Sequence, residues 1–367
     1  MTKSRRNFLK VLGGGTILAA CGTGAFLSTR TPHKALSPWQ KAGQYQDLRK
    51  WILSYALLAP NPHNRQPWMV DLSQKNQIAI YRDKSKALTH TDPHSRQLTI
   101  GMGCFLELLN IAASHAGHTV TFDLFPEGED GPVAQARLSE GSRPDPLFAQ
   151  VMNRRSCKEP FSMEPISDAH AKQLASYCTV VESAPKVAQI KQMTLEAWLI
   201  EANTPRTLKE SVDLMRIGKA EINANPDGID LGGPFLETLS VAGILTREGQ
   251  LDTQSSGFQQ GVSMYQNMLT ATPAYCTVCT SGNTRLEQIK AGRQWLRLNL
   301  KTTELGLALH PVSQALQEFP EMEEQYRKAH TLLAKPEETV QMLGRLGIGP
   351  ATTRSPRWPL EAKIINV

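Results

Sequence analysis

Between residues 48 and 59 the apolar side chains Leu48, Trp51, Ile52, Tyr55, Ala56 and Ala59 recur at spacings of three and four, the stripe of one helix face, and Pro60 stops it. Residues 68–73 and 77–83 alternate around a short polar turn at Lys75-Asn76, the pattern of an antiparallel strand pair. Residues 98–117 are apolar on nearly every side and close on Gly117, which predicts a buried central helix. Strands are expected at 118–125 and 133–140, and a short helix at 146–153. Helical spacing then dominates to Thr270, with a less regular stretch from Pro226 to Pro234. A strand follows at 274–281. Thr284 and Glu287 form a capping box for a helix running to Gly306, and 307–313 and 343–349 are the closing strands. Helix and strand succeed one another without strict βαβ alternation, so the fold class is α+β, a layered sandwich.

A chain of 367 residues is long enough for two domains or one large unit with a sizeable core. Its N-terminus changes the picture. Arg5-Arg6 stand before a modest, glycine-rich apolar run from Val11 to Ala20, which reads as a twin-arginine export signal rather than a membrane span. The run ends in Leu18-Ala19-Ala20-Cys21-Gly22. This is either a lipobox with a lipid anchor at Cys21 or a plain cleavage site for release to the periplasm. Cleavage before Cys21 removes Lys3, Arg5, Arg6 and Lys10 and takes the net charge from +6 to +2, too little to argue for nucleic acid. Twin-arginine machinery exports folded passengers, and the usual reason to fold first is a cofactor. The other cysteines are scattered, and Cys276 and Cys279, three apart on a strand, point to opposite faces, so neither a redox pair nor a zinc site is expected. The stretch His90-Thr91-Asp92-Pro93-His94 holds two imidazoles and no further ligand pattern; it is read as a solvated loop, not a metal site.

Two polar segments carry the candidate chemistry. Residues 59–68, "APNPHNRQPW", form a loop stiffened by three prolines, offering amide donors and acceptors from a frame that loses little entropy when a ligand arrives. The same composition also serves simply to turn a helix into a strand. Arg154, Ser156 and Lys158 alternate in "RRSCKEPF"; an extended backbone lets all three face a phosphate, although a solvated basic turn has the same pattern.

Taken together, the loop resembles the A-P-S-x-x-N-x-Q-P-W loop of the FMN-dependent nitroreductase family, and the basic segment resembles its R-x-S-x-R/K-x-F entry. Residues 291–314 and the tail "SPRWPL" are similar to later family segments. The order of the two motifs is reversed relative to ordinary members, and they lie in different halves of the chain. In family homodimers the two motifs at one flavin come from different subunits. A fusion keeping one motif per half would hold one complete site, so the resemblance, to the Acg-like branch, implies two fused nitroreductase-like halves in an internal pseudo-dimer. The expected organisation is a signal at 1–21, a linker at 22–45, a first half at 46–145 and a second at 146–367, with a possible lid at 190–265.

The resemblance implies FMN as cofactor. Pro60, Asn61 and Asn64 would line it, with Gln66 and Trp68 setting the loop. Arg154 and Ser156 would take phosphate and ribityl, Lys158 would approach the N1/O2 side of the ring, Arg357 would join the phosphate, and Ser313 would lie in the segment near N5. Asn61 stands where the family has serine. No catalytic side chain is needed, because the flavin carries the electrons. The implied activity is two-electron reduction of a small-molecule acceptor, nitroaromatic or quinone-like, by a monomer; the alternative is an FMN storage protein with a covered flavin.

Overall fold

The structure is a computed structural model that describes residues 29–367. The twin-arginine run and Cys21 lie outside the described residues. Two helices open the fold, α1 (His33–Lys41) and α2 (Leu48–Ala56), the second capped by the Asp47 carboxylate, which accepts from the Arg49 and Lys50 amides. A first block follows: β1 (Trp68–Asp71), β2 (Gln77–Arg82), the central helix α3 (Arg96–His115), β3 (His118–Leu124) and β4 (Ala134–Glu140). Next come α4 (Asp168–Leu174) and β5 (Thr179–Val181).

An insertion then carries α5 (Ala184–Asn203), α6 (Pro205–Asp213), β6 (Met215–Ile217), α7 (Gly218–Ala224), β7 (Ile229–Leu231), α8 (Pro234–Val241), α9 (Arg247–Leu251) and α10 (Ser256–Thr270). The chain closes with β8 (Ala274–Thr280), the second long helix α11 (Arg285–Glu304), β9 (Ala308–Pro311), α12 (Glu323–Leu333), β10 (Thr339–Gly347) and β11 (Ile364–Asn366).

The architecture is α+β, and its two main sheets share one topology. The first has the order β11-β1-β2-β4-β3 and the second β5-β8-β10-β9. Apart from β11, each is built as first, second, fourth and third strand of its block, and in each the long helix connects the second strand to the third. The C-terminal β11 crosses back to pair in parallel with β1, so the end of the chain is woven into the first sheet.

The long helices α3 and α11 pack on each other at two glycines. A Cβ on Gly103 would stand 2.3 Å from the Ile289 carbonyl oxygen, and one on Gly292 would stand 2.0 Å from that of Ile100. The contact is reciprocal, Ile100 and Gly103 against Ile289 and Gly292, as across a two-fold axis. One apolar core joins α3, α11 and the facing sides of both sheets. Along β8, Cys276 and Val278 face that core while Tyr275 faces a second one, formed with Ile190 of α5 and Ala329 of α12; the period-two alternation of the strand lets it serve both.

Several sequence expectations are corrected. The stretch read as a linker carries α1, whose Ala35 and Trp39 are buried. The helix expected at 146–153 is a single 3₁₀ turn, Pro146–Gln150. The loop around His90 is not merely solvated: Thr91 and Asp92 are buried, Asp92 accepts from the Gln97 and Leu98 amides at the start of α3, and Glu210 accepts from the His90 and Thr91 amides.

Candidate functional site

The loop 59–68 leaves α2 and is held by its own backbone geometry. His63, Asn64 and Gln66 all take positive φ, at 46°, 51° and 49°. The Asn61 carboxamide fixes this bend, accepting from the Gln66 amide at 2.7 Å and donating to the Ala59 carbonyl at 3.2 Å. Asn61, expected to line a ligand, thus also braces the loop with its side chain. Pro60 is partly exposed beside it. Gln66 is fully buried, donates to the Pro226 carbonyl and accepts from the Trp358 amide; Trp68 is buried and stacks on Phe105 at 4.8 Å. Both set the loop, as the sequence suggests.

Arg154 and Arg357 converge on the end of α2. Arg154 donates to the Leu58 carbonyl at 3.0 Å and to Asn299 Oδ1 at 2.9 Å. Arg357 donates to the carbonyls of Leu57, Leu58 and Ala59 and, at 2.7 Å, to Asn64 Oδ1. The negative end of the helix supports both guanidiniums, but no carboxylate does. Burial lowers the Arg154 pKa to about 10 and that of Arg357 to about 9, and neighbouring arginines push in the same direction: Arg155 acts on Arg154, and Arg154 and Arg155 act on Arg357. The two buried cations are satisfied by backbone carbonyls and by the Asn299 and Asn64 side-chain oxygens, with no ion pair to a carboxylate among the described residues.

Lys158 stands at the other end of the same segment. Its Nζ makes no hydrogen bond among the described residues, and although the residue keeps an exposed surface, protein crowding lowers its pKa while Asp230 opposes the shift. Two imidazoles share this space. Burial, Lys158 and Arg65 together hold His63 at about 4 against the pull of Glu210; burial, Arg345 and Lys158 hold His310 well below its ordinary value. Both are neutral at pH 7. The segment itself is aligned along β9, the Cys157 amide donating to the Leu309 carbonyl at 3.1 Å. The Ser156 hydroxyl has no partner among the described residues. Ser313 takes the N-cap position of a 3₁₀ turn just beyond β9 without a side-chain cap bond, and no hydrogen bond joins it to the other site residues among the described residues.

The insertion lies over this loop. The Pro226 carbonyl accepts from Asn64 Nδ2 at 3.4 Å as well as from Gln66, and Asp227, 3% exposed, pairs with Lys86 at 2.5 Å, Arg216 at 3.1 Å and Arg65 at 3.7 Å. A cavity of about 260 Å³ lies within the insertion, between Ala242 and Gly257, but its lining holds no titratable side chain and it is remote in chemistry from the arginines.

Sequence reasoning did not single out Trp39, Arg155, Arg354, His63 or Asp227. The doubled arginine at 154–155 and the Arg-x-x-Arg spacing at 354–357 were the only local signals; Trp39 sits in a stretch set aside as linker.

No family model matches the chain. Over 142 residues it is 30% identical to "Putative NAD(P)H nitroreductase acg" of Mycobacterium tuberculosis, a match covering 36% of this chain and 41% of that relative, so the chain spans about two-fifths of the relative's length. A second M. tuberculosis protein, also described as a nitroreductase of this kind, is 21% identical over 283 residues, covering 72% of this chain and 76% of its own. Among solved structures, a nitroreductase-described protein from Anabaena variabilis aligns with a TM-score of 0.41 at 10% identity over 75% of this chain and 69% of its own. The FMN-dependent nitroreductase NfnB from Mycobacterium smegmatis aligns at 0.37 and 14% over 59% and 96%. The sequence similarity is to nitroreductase-described proteins.

Proposed function

We propose that the chain is an FMN-dependent oxidoreductase of nitroreductase type, built as a fused pseudo-dimer with one flavin site. The observation that carries this reading is the meeting of loop 59–68, segment 154–158 and Arg357 around two guanidiniums, Arg154 and Arg357, that have no carboxylate partner among the described residues. The residues suit the cofactor on chemical grounds: guanidiniums at Arg154 and Arg357 lack an acid, the Ser156 hydroxyl is free, and Lys158 presents an ammonium without a hydrogen-bond partner. Bound there, the flavin would supply two-electron transfer. Arg154, Ser156 and Arg357 would hold its phosphate, Lys158 would favour negative charge on the ring, and Asn64 would hold Arg357 in place.

The test is the colour and content of the purified chain. Flavin absorbance, release of FMN on denaturation, and loss of flavin on dialysis in Arg154→Ala or Arg357→Ala are expected, each variant losing a charge-assisted partner worth roughly 1.5 to 3 kcal/mol. A colourless chain that takes up no added FMN would overturn the reading.

A second reading, flavin storage with little turnover, is favoured by the seating of Pro226 and Asp227 on the flavin-side loop. Anaerobic reduction followed by mixing with a nitroaromatic or a quinone separates the two: prompt reoxidation supports the enzyme, and a reduced flavin that persists supports storage. On sequence alone we further propose export through the twin-arginine route, with or without a lipid at Cys21. Retention of an Arg5→Lys, Arg6→Lys variant in the cytoplasm is expected. A monomer with one flavin in light scattering would fit the fused arrangement, and flavin shared between two chains would exclude it.

A further inference from the structure

In the second sheet a cation holds a histidine in one protonation form. His310 of β9 stands opposite Arg345 of β10 in the strand register, and Arg345 Nη1 donates to its Nδ1 at 3.3 Å. Arg345 is fully buried, with its guanidinium carbon 4.0 Å from the centroid of the Phe161 ring, and donates further to Thr272 Oγ1 and to the Glu159 and Ala271 carbonyls. A guanidinium has donors and no lone pair to offer, so the ring nitrogen it meets is the unprotonated one. His310 is therefore a neutral imidazole with its proton on Nε2, and burial together with the charges of Arg345 and Lys158 keeps it neutral.

That Nε2–H makes no hydrogen bond among the described residues, although His310 is only 6% exposed, and a buried donor left without an acceptor costs stability. The same Arg345 fork reaches the carbonyl of Glu159, the residue after Lys158, and so ties the imidazole to the segment that carries an ammonium with no hydrogen-bond partner. Two donors, one neutral and one cationic, thus belong to one space and share no acceptor there. We propose that His310 donates from Nε2 to the edge of the flavin ring whose negative charge Lys158 would favour, binding the reduced form more tightly than the oxidised form and so helping to set the potential of the site. The inference rests on the flavin reading above. Arg345 is the positioning residue: Phe161 and three oxygen acceptors fix the guanidinium, and the guanidinium fixes the tautomer.

The test is an anaerobic redox titration of the full chain loaded with FMN, read by absorbance against a dye of known potential. His310→Leu removes the donor and should weaken binding of reduced FMN about 10-fold relative to oxidised FMN, the loss of one charge-assisted bond. For a two-electron couple that ratio is a fall of about 30 mV. His310→Gln offers an oxygen to Arg345 and an N–H beyond it, and should recover most of the difference. A histidine that served only the fold would change the melting temperature in these variants and leave the potential where it was. The parent chain gives an independent reading by NMR of its isotope-labelled histidines: the resonance absent from His310→Gln should report an Nε2–H tautomer, and its proton should shift when FMN binds and again on reduction. In Arg345→Met the tautomer is no longer fixed, and the potential should fall in the same direction as in His310→Leu. An unchanged potential in His310→Leu, an Nδ1–H tautomer in the parent, or an Nε2–H signal indifferent to the flavin overturns the proposal. A chain that takes up no FMN removes the flavin reading and this inference with it, whereas bound FMN with an unmoved potential removes this inference alone.

Discussion

Replacing Gly292 by alanine poses a question of sign. In an exposed helix interior alanine is favoured over glycine by about 1 kcal/mol, because it restricts the unfolded chain. Inside the α3–α11 contact the added Cβ meets the Ile100 carbonyl oxygen at 2.0 Å and the Gly103 Cα at 2.9 Å. These are backbone atoms, so no rotamer change relieves the clash, and the helices must move apart along their shared face. A gap of 0.5 to 1 Å forfeits roughly a quarter to a half of each dispersion contact across it. Overpacking of this kind costs about 1 to 3 kcal/mol, and with backbone on both sides the upper end applies; subtracting the propensity gain leaves a net loss of about 2 kcal/mol. Gly261, inside α10 with nothing within 4 Å of its added Cβ, is the matched control and should gain up to about 1 kcal/mol from the same change. Urea denaturation followed by far-ultraviolet dichroism reads both variants. A Gly292→Ala chain as stable as the parent, or two variants that shift the same way, would refute the tight reciprocal crossing.

Two further outcomes are expected. Asp227→Asn leaves Lys86, Arg65 and Arg216 facing one another without their acid, a loss of about 3 kcal/mol or more for a buried partner; limited proteolysis should then cut sooner between 214 and 234, and an unchanged cleavage rate would count against the seat. Because burial and nearby cations hold His63 at about 4, the unfolded chain protonates first on acidification: the stability tied to the neutral imidazole is full above about pH 6.5 and lost as pH falls toward 4, up to ~3 kcal/mol. A His63→Gln chain should lack that part of the slope, and parallel pH curves for the two chains would contradict the assignment.

The parts legible in the sequence were those specified locally. Three prolines and the Asn-x-Gln spacing announced the bend at 59–68, and the Thr284–Glu287 box announced the start of α11 to the residue. The apolar run through Ile100 and Phe105 read as a buried helix because nothing polar interrupts it for long. What was missed depends on distant pairing. β5 and β11 are three residues each, too short to show a period, and exist because β8 and β1 offer edges. The surroundings of Trp39 were invisible because its partners, Arg155, Arg354, Ser355 and Arg357, lie far along the chain. The hydrogen bond of Asn61 within the loop was hidden for a related reason: the left-handed backbone at Gln66 accompanies the turn of that amide toward the Asn61 carboxamide.

The same topology in both halves makes their differences informative. In the first half β1 and β2 are joined by a short turn, whereas the matching connection from β5 to β8 is the whole insertion, α5 to α10. That insertion does not stay with its own sheet. Through Glu210, Pro226 and Asp227 it reaches the loops of the first half at 89–91 and 61–66, and through Asn223, which accepts from the Ala35 amide, it reaches α1. The tail does the reverse, leaving the second half to place Arg357 against α2 and β11 beside β1. Both exchanges converge on the end of α2, where the carbonyls of Leu57, Leu58 and Ala59 gather the arginines. Duplicated topology alone would leave the two blocks alike. The insertion and the tail both pack at the end of α2, so the proposed site lies where the two blocks have become most unlike.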